Sequence, residues 1–532
     1  MSDAVPAPGV PIEPPAPDKA AQARAGTTFT IARNSMWLGI DMGLSMAAAF
    51  YCSVAVARGL GPDRMGEYNY VLWFASVLRM VTEFAIPSTF RKFAAELLGR
   101  GDFSALKTLV RFAFKIQMRM AIVGVAASLA IVLLSMAPER RLIATLAVLT
   151  VVPALLMSIP SGVLQATEDL LPNVIGSLLA TLTNTTGITL SVIFHWGLIG
   201  IMISLMTSRF VDCIVRFTLF RRVYVTFPGE PIKGPFDRVL LKRLIKFAAS
   251  QMVLMVFQIL LWERMEVFFI RRLSAVREIA FFSLSITVVQ YVLTLPSVLA
   301  GSVGATMMVQ QGRAPHEVAR IAGTAVWFTV LVATPALFGV AAVSDPLLHL
   351  VYGVKYLPVI PVLTVMALFA LTQAVQFPIG PFLLATEQQK FIIFWATVMV
   401  VVNISVCYLL IPHMGALGAA YARGLCHLVG VIGFLVFMVR KLGVKLPLGK
   451  MARLIIVCTA MFLAVRGVAG MLHAVPALLV GIPMGCLIFV LLTRILRCLD
   501  NDDRDRLTQM KRLLPARARS PYLSLVDFVV RA

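Results

Sequence analysis

Charged residues are scarce in this chain of 532 residues: Asp, Glu, Lys and Arg together make up 14%, whereas hydrophobic residues make up 59%. So few charged side chains cannot cover the surfaces of the three or four soluble domains that this length would otherwise suggest. Long polar segments are also missing, and the apolar residues gather in runs long enough to cross a bilayer, which takes about 20 residues. The composition therefore predicts an all-α integral membrane protein.

Acidic residues are the scarcer of the two charged classes, with 26 Asp and Glu against 48 Lys and Arg and a net charge of +22. No basic run is interleaved with exposed aromatic residues, so we expect no nucleic-acid partner. The seven cysteines show no CxxC spacing, which argues against a metal site or a disulfide framework. Walker A, HExxH and GxSxG patterns are missing too. We therefore expect no enzyme, no metal and no cofactor.

The hydrophobic runs predict about fourteen transmembrane helices. Their approximate bounds are 34–57, 68–87, 112–136, 143–165, 173–194, 198–219, 247–270, 279–306, 321–343, 360–384, 391–411, 416–438, 452–473 and 475–495. These spans group into two six-helix bundles followed by two C-terminal helices. The predicted organisation is a disordered cytoplasmic tail (1–30), a first lobe (31–220), a basic cytoplasmic linker (221–246), a second lobe (247–440), two additional helices (451–495) and a basic amphipathic cytoplasmic tail (496–532).

An internal repeat supports the two lobes. The pattern His-x-Gly-x-x-Gly at 195–200 returns at 413–418, and Ala-Thr-Glu at 166–168 returns at 385–387, so the offset is 218 or 219 residues. Six spans separate the copies, and six is an even number, so both lobes have the same orientation and are related by an axis along the membrane normal. A substrate site between two such bundles is the expected consequence.

Basic residues predict the orientation. About 34 Lys and Arg fall in one set of loops and tails, and eight fall in the other set, namely Arg58, Arg64, Arg140, Arg141, Arg271, Arg272, Arg277 and Lys355. Because Lys and Arg accumulate on the cytoplasmic side, this bias predicts that both termini are cytoplasmic. The C-terminal tail has an apolar stripe at Leu507, Met510 and Leu514 among basic residues. Such a helix is expected to lie on anionic membrane lipids.

Several charged residues lie inside the predicted spans, where a charge costs roughly 2.5–3.5 kcal/mol and is retained only when it faces a cavity or a partner. Arginine suits phosphate because its planar guanidinium donates bidentate hydrogen bonds. The candidate substrate-binding residues are Arg79, Arg209, Arg216 and Arg264. The candidate ion-coupling residues are Asp41, Glu83, Asp212, Glu263 and Glu266. The alternative is that Arg79 with Glu83, and Asp212 with its neighbouring arginines, are internally paired structural contacts.

Three blocks of sequence point to a family. They are ARGLGPDRMGEY at 57–68 followed by FAAELLGRGD at 93–102, YGVKYLP at 352–358 followed by LATE at 384–387, and LIPHMGALGAA at 410–420. In order and spacing they resemble polysaccharide-export flippases of the multidrug/oligosaccharidyl-lipid/polysaccharide (MOP) exporter superfamily, which also contains the MATE transporters. The resemblance extends from about residue 30 to 495.

The resemblance implies two lobes around a cationic cavity and outward flipping of a polyprenyl-pyrophosphate-linked oligosaccharide by alternating access, with H⁺ or Na⁺ antiport. It also implies the bacterial inner membrane, and a polymerase and a chain-length regulator of the same pathway as partners. Other functions stay open. They are a peptidoglycan-precursor flippase, a multidrug exporter, a membrane-embedded polymerase or ligase, and a non-transporting scaffold.

Overall fold

The computed structural model describes residues 17–83, 85–135, 137–167, 171–232, 238–511 and 516–530. Within these ranges the chain forms helices and no strand. The first lobe contains α1 (Pro17–Glu83), α2 (Ile86–Gly99), α3 (Phe103–Ser135), α4 (Pro138–Ala166), α5 (Leu171–Ile193) and α6 (Gly197–Thr226). The second lobe contains α7 (Arg238–Leu261), α8 (Glu266–Leu273), α9 (Val276–Arg313), α10 (Pro315–Ala342), α11 (Ser344–Val351), a 3₁₀ turn (Val354–Tyr356), α12 (Val359–Ala385) and α13 (Gln389–Lys441). Four more helices follow: α14 (Leu448–Ala469), α15 (Ala474–Ile495), α16 (Asn501–Met510) and α17 (Ala516–Val530).

Eleven helices in the described ranges are long and apolar enough to cross a membrane, and two of them are too long to cross it once. The apolar part of α1 has 48 residues and α13 has 53, so each would extend about 70–80 Å if straight, against a hydrocarbon core of about 30 Å. Each contains one glycine with non-helical dihedrals, Gly61 (φ 72°) and Gly415 (φ 54°). These glycines divide each helix into two crossing segments.

The hairpin inside α13 is visible in its hydrogen bonds. Trp395 Nε1 donates to the carbonyl of Val429 at 3.2 Å, and Cys426 Sγ donates to that of Met399 at 3.3 Å. With two crossings each in α1 and α13, and one in the 23-residue α5, the described ranges contain fourteen crossing segments. The predicted fold class is confirmed.

The repeat also has a structural signature. Gly197 and Gly415, which occupy matching positions in the two His-x-Gly-x-x-Gly patterns, have φ angles of 63° and 54°. Residues with side chains rarely adopt this left-handed region, whereas glycine does so readily. The first glycine of the pattern therefore has a positive φ in both lobes, although His195 in the first lobe also has one (56°).

The structure differs from the sequence prediction at several element bounds. The seventh span is not continuous over 247–270, because α7 ends at Leu261 and α8 begins at Glu266. The predicted linker (221–246) is largely helical, since α6 continues to Thr226 and α7 begins at Arg238. Of the predicted disordered tail, residues 1–16 lie outside the described residues, and α1 already begins at Pro17. An alanine-rich stretch with proline in its first turn is a favourable helix start.

The C-terminal tail is fixed to the second lobe by a polar cluster. Lys450 on α14 forms ion pairs with Asp500 and with Asp503, the latter at 2.8 Å. Asp503 is 2% exposed and also accepts a hydrogen bond from Trp327 Nε1 at 3.0 Å. Within the tail, Tyr522 donates to the backbone of α16. Helix α16 therefore docks on protein rather than only on lipid, while Leu514 of the predicted apolar stripe lies outside the described residues.

This cluster changes the acidity of Asp500. Burial alone raises the pKa of this carboxyl group, but hydrogen bonds from Lys450 and Asp503 outweigh burial and lower the pKa to about 2. Because the pKa is lower in the folded than in the unfolded state, the contact contributes stability above about pH 4. That contribution is lost as the pH falls towards 2.

We expect Lys450→Met to release α16, because two carboxylates, one of them buried, lose their cation. Amide hydrogen exchange at residues 501–510 should then accelerate about tenfold or more at neutral pH. Lys445→Met is the matched control, since Lys445 is exposed nearby and makes no ion pair among the described residues. Equal exchange in both variants would contradict the docking role of Lys450.

Candidate functional site: a cationic cavity between the lobes

We call the side of the molecule that carries α2 and α16 the inner side, following the basic bias, and the opposite side the outer side. The outer ends of the lobes are joined by hydrogen bonds. Arg58 on α1 donates to the carbonyls of Leu350 and Val351 at 2.6 and 2.8 Å. Tyr356, which is 1% exposed, donates to the carbonyl of Ala57 at 2.9 Å. Both contacts cross from the second lobe to the first, so the outer side is closed.

Further inward, α1 and α9 move apart. Their last aromatic contact is between Phe50 and Tyr291, with ring centroids 6.0 Å apart. On the inner side of this contact, Met42 and Leu295 are exposed, and a Cβ atom at Gly301 would meet nothing within 4 Å. The inner halves of α1 and α9 therefore expose apolar surface, and we call the space beside them the gap at α1 and α9.

On the opposite side of the interface, the lobes touch at the inner end. Helix α7 of the second lobe packs on α2 of the first: Phe247 stacks edge-on against Phe93 at 6.1 Å, and Lys92 lies 4.0 Å from the Phe247 ring centroid. Arg243 pairs with Glu96 at 3.3 Å. A gap between the lobes thus opens towards α1 and α9 and is closed by α7 and α2.

The break in the seventh span places charge in this interface. Residues 262–265 read Trp-Glu-Arg-Met, and the carbonyl of Gln258 accepts hydrogen bonds from the backbone N–H groups of both Trp262 and Glu263, at 2.9 and 3.2 Å. Arg264 then has a φ of 56°, which ends the helical path. Three charged residues within four positions (263–266) are poorly accommodated by a continuous apolar helix, and the break lets their side chains point in different directions.

Arg264 is half-buried, and its side chain has no hydrogen-bond or ion-pair partner among the described residues. Its surroundings are Glu263, Glu266, Arg423 and Tyr291, all within electrostatic reach. The nearby carboxylates are engaged elsewhere, as described below. The guanidinium group of Arg264 is therefore available to bind an anion.

Arg209 on α6 is the counterpart in the first lobe. Its side chain is exposed and likewise has no hydrogen-bond or ion-pair partner in the described ranges. Arg79, Asp212, Arg216 and Tyr68 lie within electrostatic reach. Three arginines around one aspartate leave this region with a positive potential.

Arg216 and Asp212, in contrast, form an internal contact. Arg216 Nε lies 2.5 Å from Asp212 Oδ1, and Arg216 also donates to Asn173 on α5 at 3.1 Å. A Cβ atom at Gly176 would lie 2.6 Å from the Arg216 side chain, so α5 approaches this pair closely. The geometry favours the alternative stated above, a structural contact between α5 and α6, for these two residues.

Arg79 and Glu83 pair loosely one helical turn apart, with 3.7 Å between Arg79 Nη1 and Glu83 Oε1. The side chain of Arg79 keeps 47% of its surface exposed. A pair this long and open contributes little stability. Arg79 can therefore exchange its carboxylate partner for a ligand.

Glu266 is held in the core of the second lobe. It is 1% exposed, and Arg423, 6% exposed, donates to its two oxygens at 3.5 and 3.4 Å. Asn403 donates to the same carboxylate at 3.4 Å. Sequence reasoning did not pair Glu266 with Arg423, because 157 residues separate them. A carboxylate enclosed in this way is better suited to fixing helices than to exchanging an ion.

The two remaining acidic candidates are more accessible. Glu263 Oε2 accepts a hydrogen bond from Ser76 at 3.3 Å, and its backbone carbonyl accepts one from Trp73 at 2.7 Å, so the break contacts the first lobe. Asp41 has no ion-pair partner among the described residues. Its one hydrogen bond is from Ser45 at 3.4 Å, and the Ser45 hydroxyl is also 3.4 Å from that of Thr181. Asp41 and Glu263 thus remain candidates for cation coupling.

We expect Arg423→Ala to lower the stability of the second lobe by about 3–5 kcal/mol, because it leaves a buried carboxylate without its cation. Thermal unfolding in detergent measures this loss. The double variant Glu266→Gln/Arg423→Met should recover most of it and should still transport. If the double variant unfolds normally but transport is lost, the pair has a functional rather than a structural role.

Comparison with known proteins now adds to this geometry. Residues 31–308, just over half of the chain, match the family model described as polysaccharide biosynthesis protein. The chain belongs to this family. Comparison with curated protein sequences gives no match.

Solved transporter structures share the fold. The lipid II flippase MurJ in an inward closed conformation superposes with a TM-score of 0.70 at 16% identity, covering 86% of this chain and 98% of that one. An inward-facing multidrug resistance MATE family transporter of the MOP superfamily gives 0.61 at 12% identity, covering 77% and 99%. A MOP superfamily transporter from Pyrococcus furiosus, described as having a binding pocket of reverse polarity, gives 0.54 at 12%, covering 77% and 95%. The fold that the sequence resemblance implied is confirmed, and the three neighbours are described as a flippase and two transporters.

Proposed function

We propose that this protein flips a polyprenyl-pyrophosphate-linked oligosaccharide from the inner to the outer leaflet of the bacterial inner membrane by alternating access. The observation that carries the proposal is one arginine in each lobe, Arg209 and Arg264, whose side chain has no hydrogen-bond or ion-pair partner among the described residues. A pyrophosphate group presents several oxygens to such donors, and guanidinium groups bind phosphate in bidentate fashion. The family assignment supports a substrate from polysaccharide biosynthesis.

The path follows from where the lobes separate. The gap at the inner halves of α1 and α9 would admit the polyprenyl chain from the membrane, while the headgroup enters between the arginines. Closing this gap and breaking the contacts of Arg58 and Tyr356 would expose the same arginines to the outer side. Outward movement of an anionic headgroup from an inside-negative cell gains about 2.3 kcal/mol per charge for each 100 mV.

Antiport of H⁺ or Na⁺ is part of the proposal. Asp41, in the membrane-spanning part of the first lobe, has no ion-pair partner in the described ranges, and the hydroxyl groups of Ser45 and Thr181 lie in a chain beside it. A carboxylate with nearby hydroxyl oxygens offers ligands for Na⁺ and an acceptor for H⁺. Movement of the cation inward would then drive movement of the substrate outward.

Other expectations from the sequence accompany the proposal. Both termini would lie in the cytoplasm, α16 and α17 would contact anionic lipids of the inner leaflet, and a polymerase and a chain-length regulator would receive the product. A peptidoglycan-precursor flippase is the alternative that the fold neighbour MurJ favours. A multidrug exporter is less favoured, because typical drugs are cations and the gap carries unpaired arginines.

We expect Arg264→Ala and Arg209→Ala each to weaken binding of polyprenyl pyrophosphate by about 10- to 100-fold, the usual range for a lost charge-assisted hydrogen bond. Lysine at either position should restore part of the affinity, since it supplies charge without the bidentate geometry. Binding to purified protein in nanodiscs and flipping in proteoliposomes are the measurements.

The matched control is Arg277→Ala, which removes a largely exposed outer arginine paired at 3.9 Å with its neighbour Glu278. It should bind and flip as the wild type does. Normal flipping by both Arg264→Ala and Arg209→Ala would exclude the two arginines as headgroup ligands and the proposal with them.

We expect Asp41→Asn to retain substrate binding but to lose the stimulation of flipping by an imposed H⁺ or Na⁺ gradient. Asparagine keeps the size and hydrogen-bonding capacity of the side chain, so the fold should be preserved. Flipping in proteoliposomes with and without each gradient is compared with that of the wild type. Undiminished stimulation would leave Glu263 as the next candidate, and a wild type that ignores both gradients would remove antiport altogether.

A further inference from the structure

A pocket of about 540 Å³, lined by polar side chains together with Met80, Leu254 and Met255, lies at the inner side between the two lobes. The first lobe contributes the end of α1, helix α2 and α4, and the second lobe contributes α7. Its polar side chains are amides, hydroxyls and one ion of each sign: Glu83, Ser88, Arg91, Ser158, Ser161, Gln165, Gln251 and Gln258. The volume is within the range of small-molecule sites, about 300–1,000 Å³.

Several polar side chains in this pocket have unused hydrogen-bonding capacity. Among the described residues, the side chains of Ser161, Gln251 and Gln258 have no hydrogen-bond partner. Ser88 and Ser158 donate to carbonyls of their own helices, at 3.0 and 2.8 Å. Their oxygens can still accept a hydrogen bond, because a hydroxyl group has two lone pairs. The pocket thus presents both donors and acceptors.

This chemistry fits a carbohydrate better than a phosphate or an apolar chain. Sugar hydroxyl groups donate and accept at once, as do amide and hydroxyl side chains. The one arginine, Arg91, is already bonded to Gln165 Oε1 at 3.0 Å. An anionic ligand would meet the carboxylate of Glu83 as well, so the pocket has no net positive charge to hold it.

The pocket is adjacent to the arginines proposed to bind the headgroup. Glu83, which lines it, pairs with Arg79, and Arg79 is within electrostatic reach of Arg209. On the other wall, Gln258 lies in the last turn of α7, six residues before Arg264 in the break. The pocket is closed by α7 and α2, on the side of the interface opposite the gap at α1 and α9.

We propose that this pocket binds the sugars of the lipid-linked substrate, with Gln251 and Gln258 as glycan-contacting residues, an inference that rests on the proposed function. The pyrophosphate would lie between Arg209 and Arg264, the polyprenyl chain would leave through the gap at α1 and α9, and the glycan would extend to the opposite side. Since α7 belongs to the second lobe and the other walls to the first, the glycan would contact both lobes at once.

The test compares two probes on purified protein in nanodiscs. One probe is bare polyprenyl pyrophosphate, and the other is the lipid-linked oligosaccharide fraction extracted from the membranes of the source cells. The wild type should bind the glycan-bearing lipid about tenfold more tightly than the bare lipid, as expected for one or two additional hydrogen bonds. In Gln251→Leu/Gln258→Leu the two affinities should become equal, while that for the bare lipid stays unchanged.

Unchanged binding of bare lipid also shows that the double variant is folded. Gln389→Leu is the matched control, because Gln389 is exposed at the start of α13, outside the pocket, and it should keep the tenfold preference. A wild type with equal affinity for the two probes, or a double variant that keeps the preference, overturns the glycan site. Failure of the proposed function is a separate result: the wild type would then bind neither probe, or Arg209→Ala and Arg264→Ala would both leave binding of bare lipid unchanged.

Discussion

Placing an arginine without a partner inside a membrane costs free energy, and the arrangement of the two lobes depends on that cost. Arg209 and Arg264 would each be driven out of a hydrocarbon environment by several kcal/mol, so the space around them must admit water or an anion. The contacts of Arg58 and Tyr356 join the lobes at the outer side, and the packing of α7 on α2 joins them at the inner side. Leaving both arginines unpaired gives their surroundings a positive potential.

Pairing divides the intramembrane charges into two groups. Two ion pairs, Glu266–Arg423 and Asp212–Arg216, lie within single lobes. Removing one partner of either pair would leave the other without its counter-charge. Arg79 and Glu83 belong to neither group, because they form an ion pair that is long and exposed enough to break. A charged residue inside a membrane span is thus a candidate functional residue. Whether it stabilises the fold or binds a ligand depends on the side chains with which it pairs.

Hydropathy, charge bias and the repeat predicted much of this fold, because each span must satisfy its backbone internally and bury an apolar surface. The fourteen crossings, the two lobes and the turn glycines at 197 and 415 follow from local sequence. The break at 262–265 was missed because the residues on both sides are apolar, although three charges within four positions were a visible signal. Pairings such as that of Glu266 with Arg423 could not be predicted from the sequence, since they depend on which faces of distant helices pack together.

The break between α7 and α8 has a mechanical consequence. Each half of the span keeps its own backbone hydrogen bonds, and the residues between them already lie outside the helix. Rotating one half against the other therefore changes a few dihedral angles around Arg264 without breaking a helical turn. The inner half packs on α2 of the first lobe and on α13 of the second, and the outer half packs mainly within the second lobe while Phe268 contacts Trp73 of the first. Both halves of this span therefore contact both lobes. A rocking motion between the lobes would bend the chain at Arg264, the residue proposed to bind the anion. Anion binding and lobe movement would then depend on the same few residues.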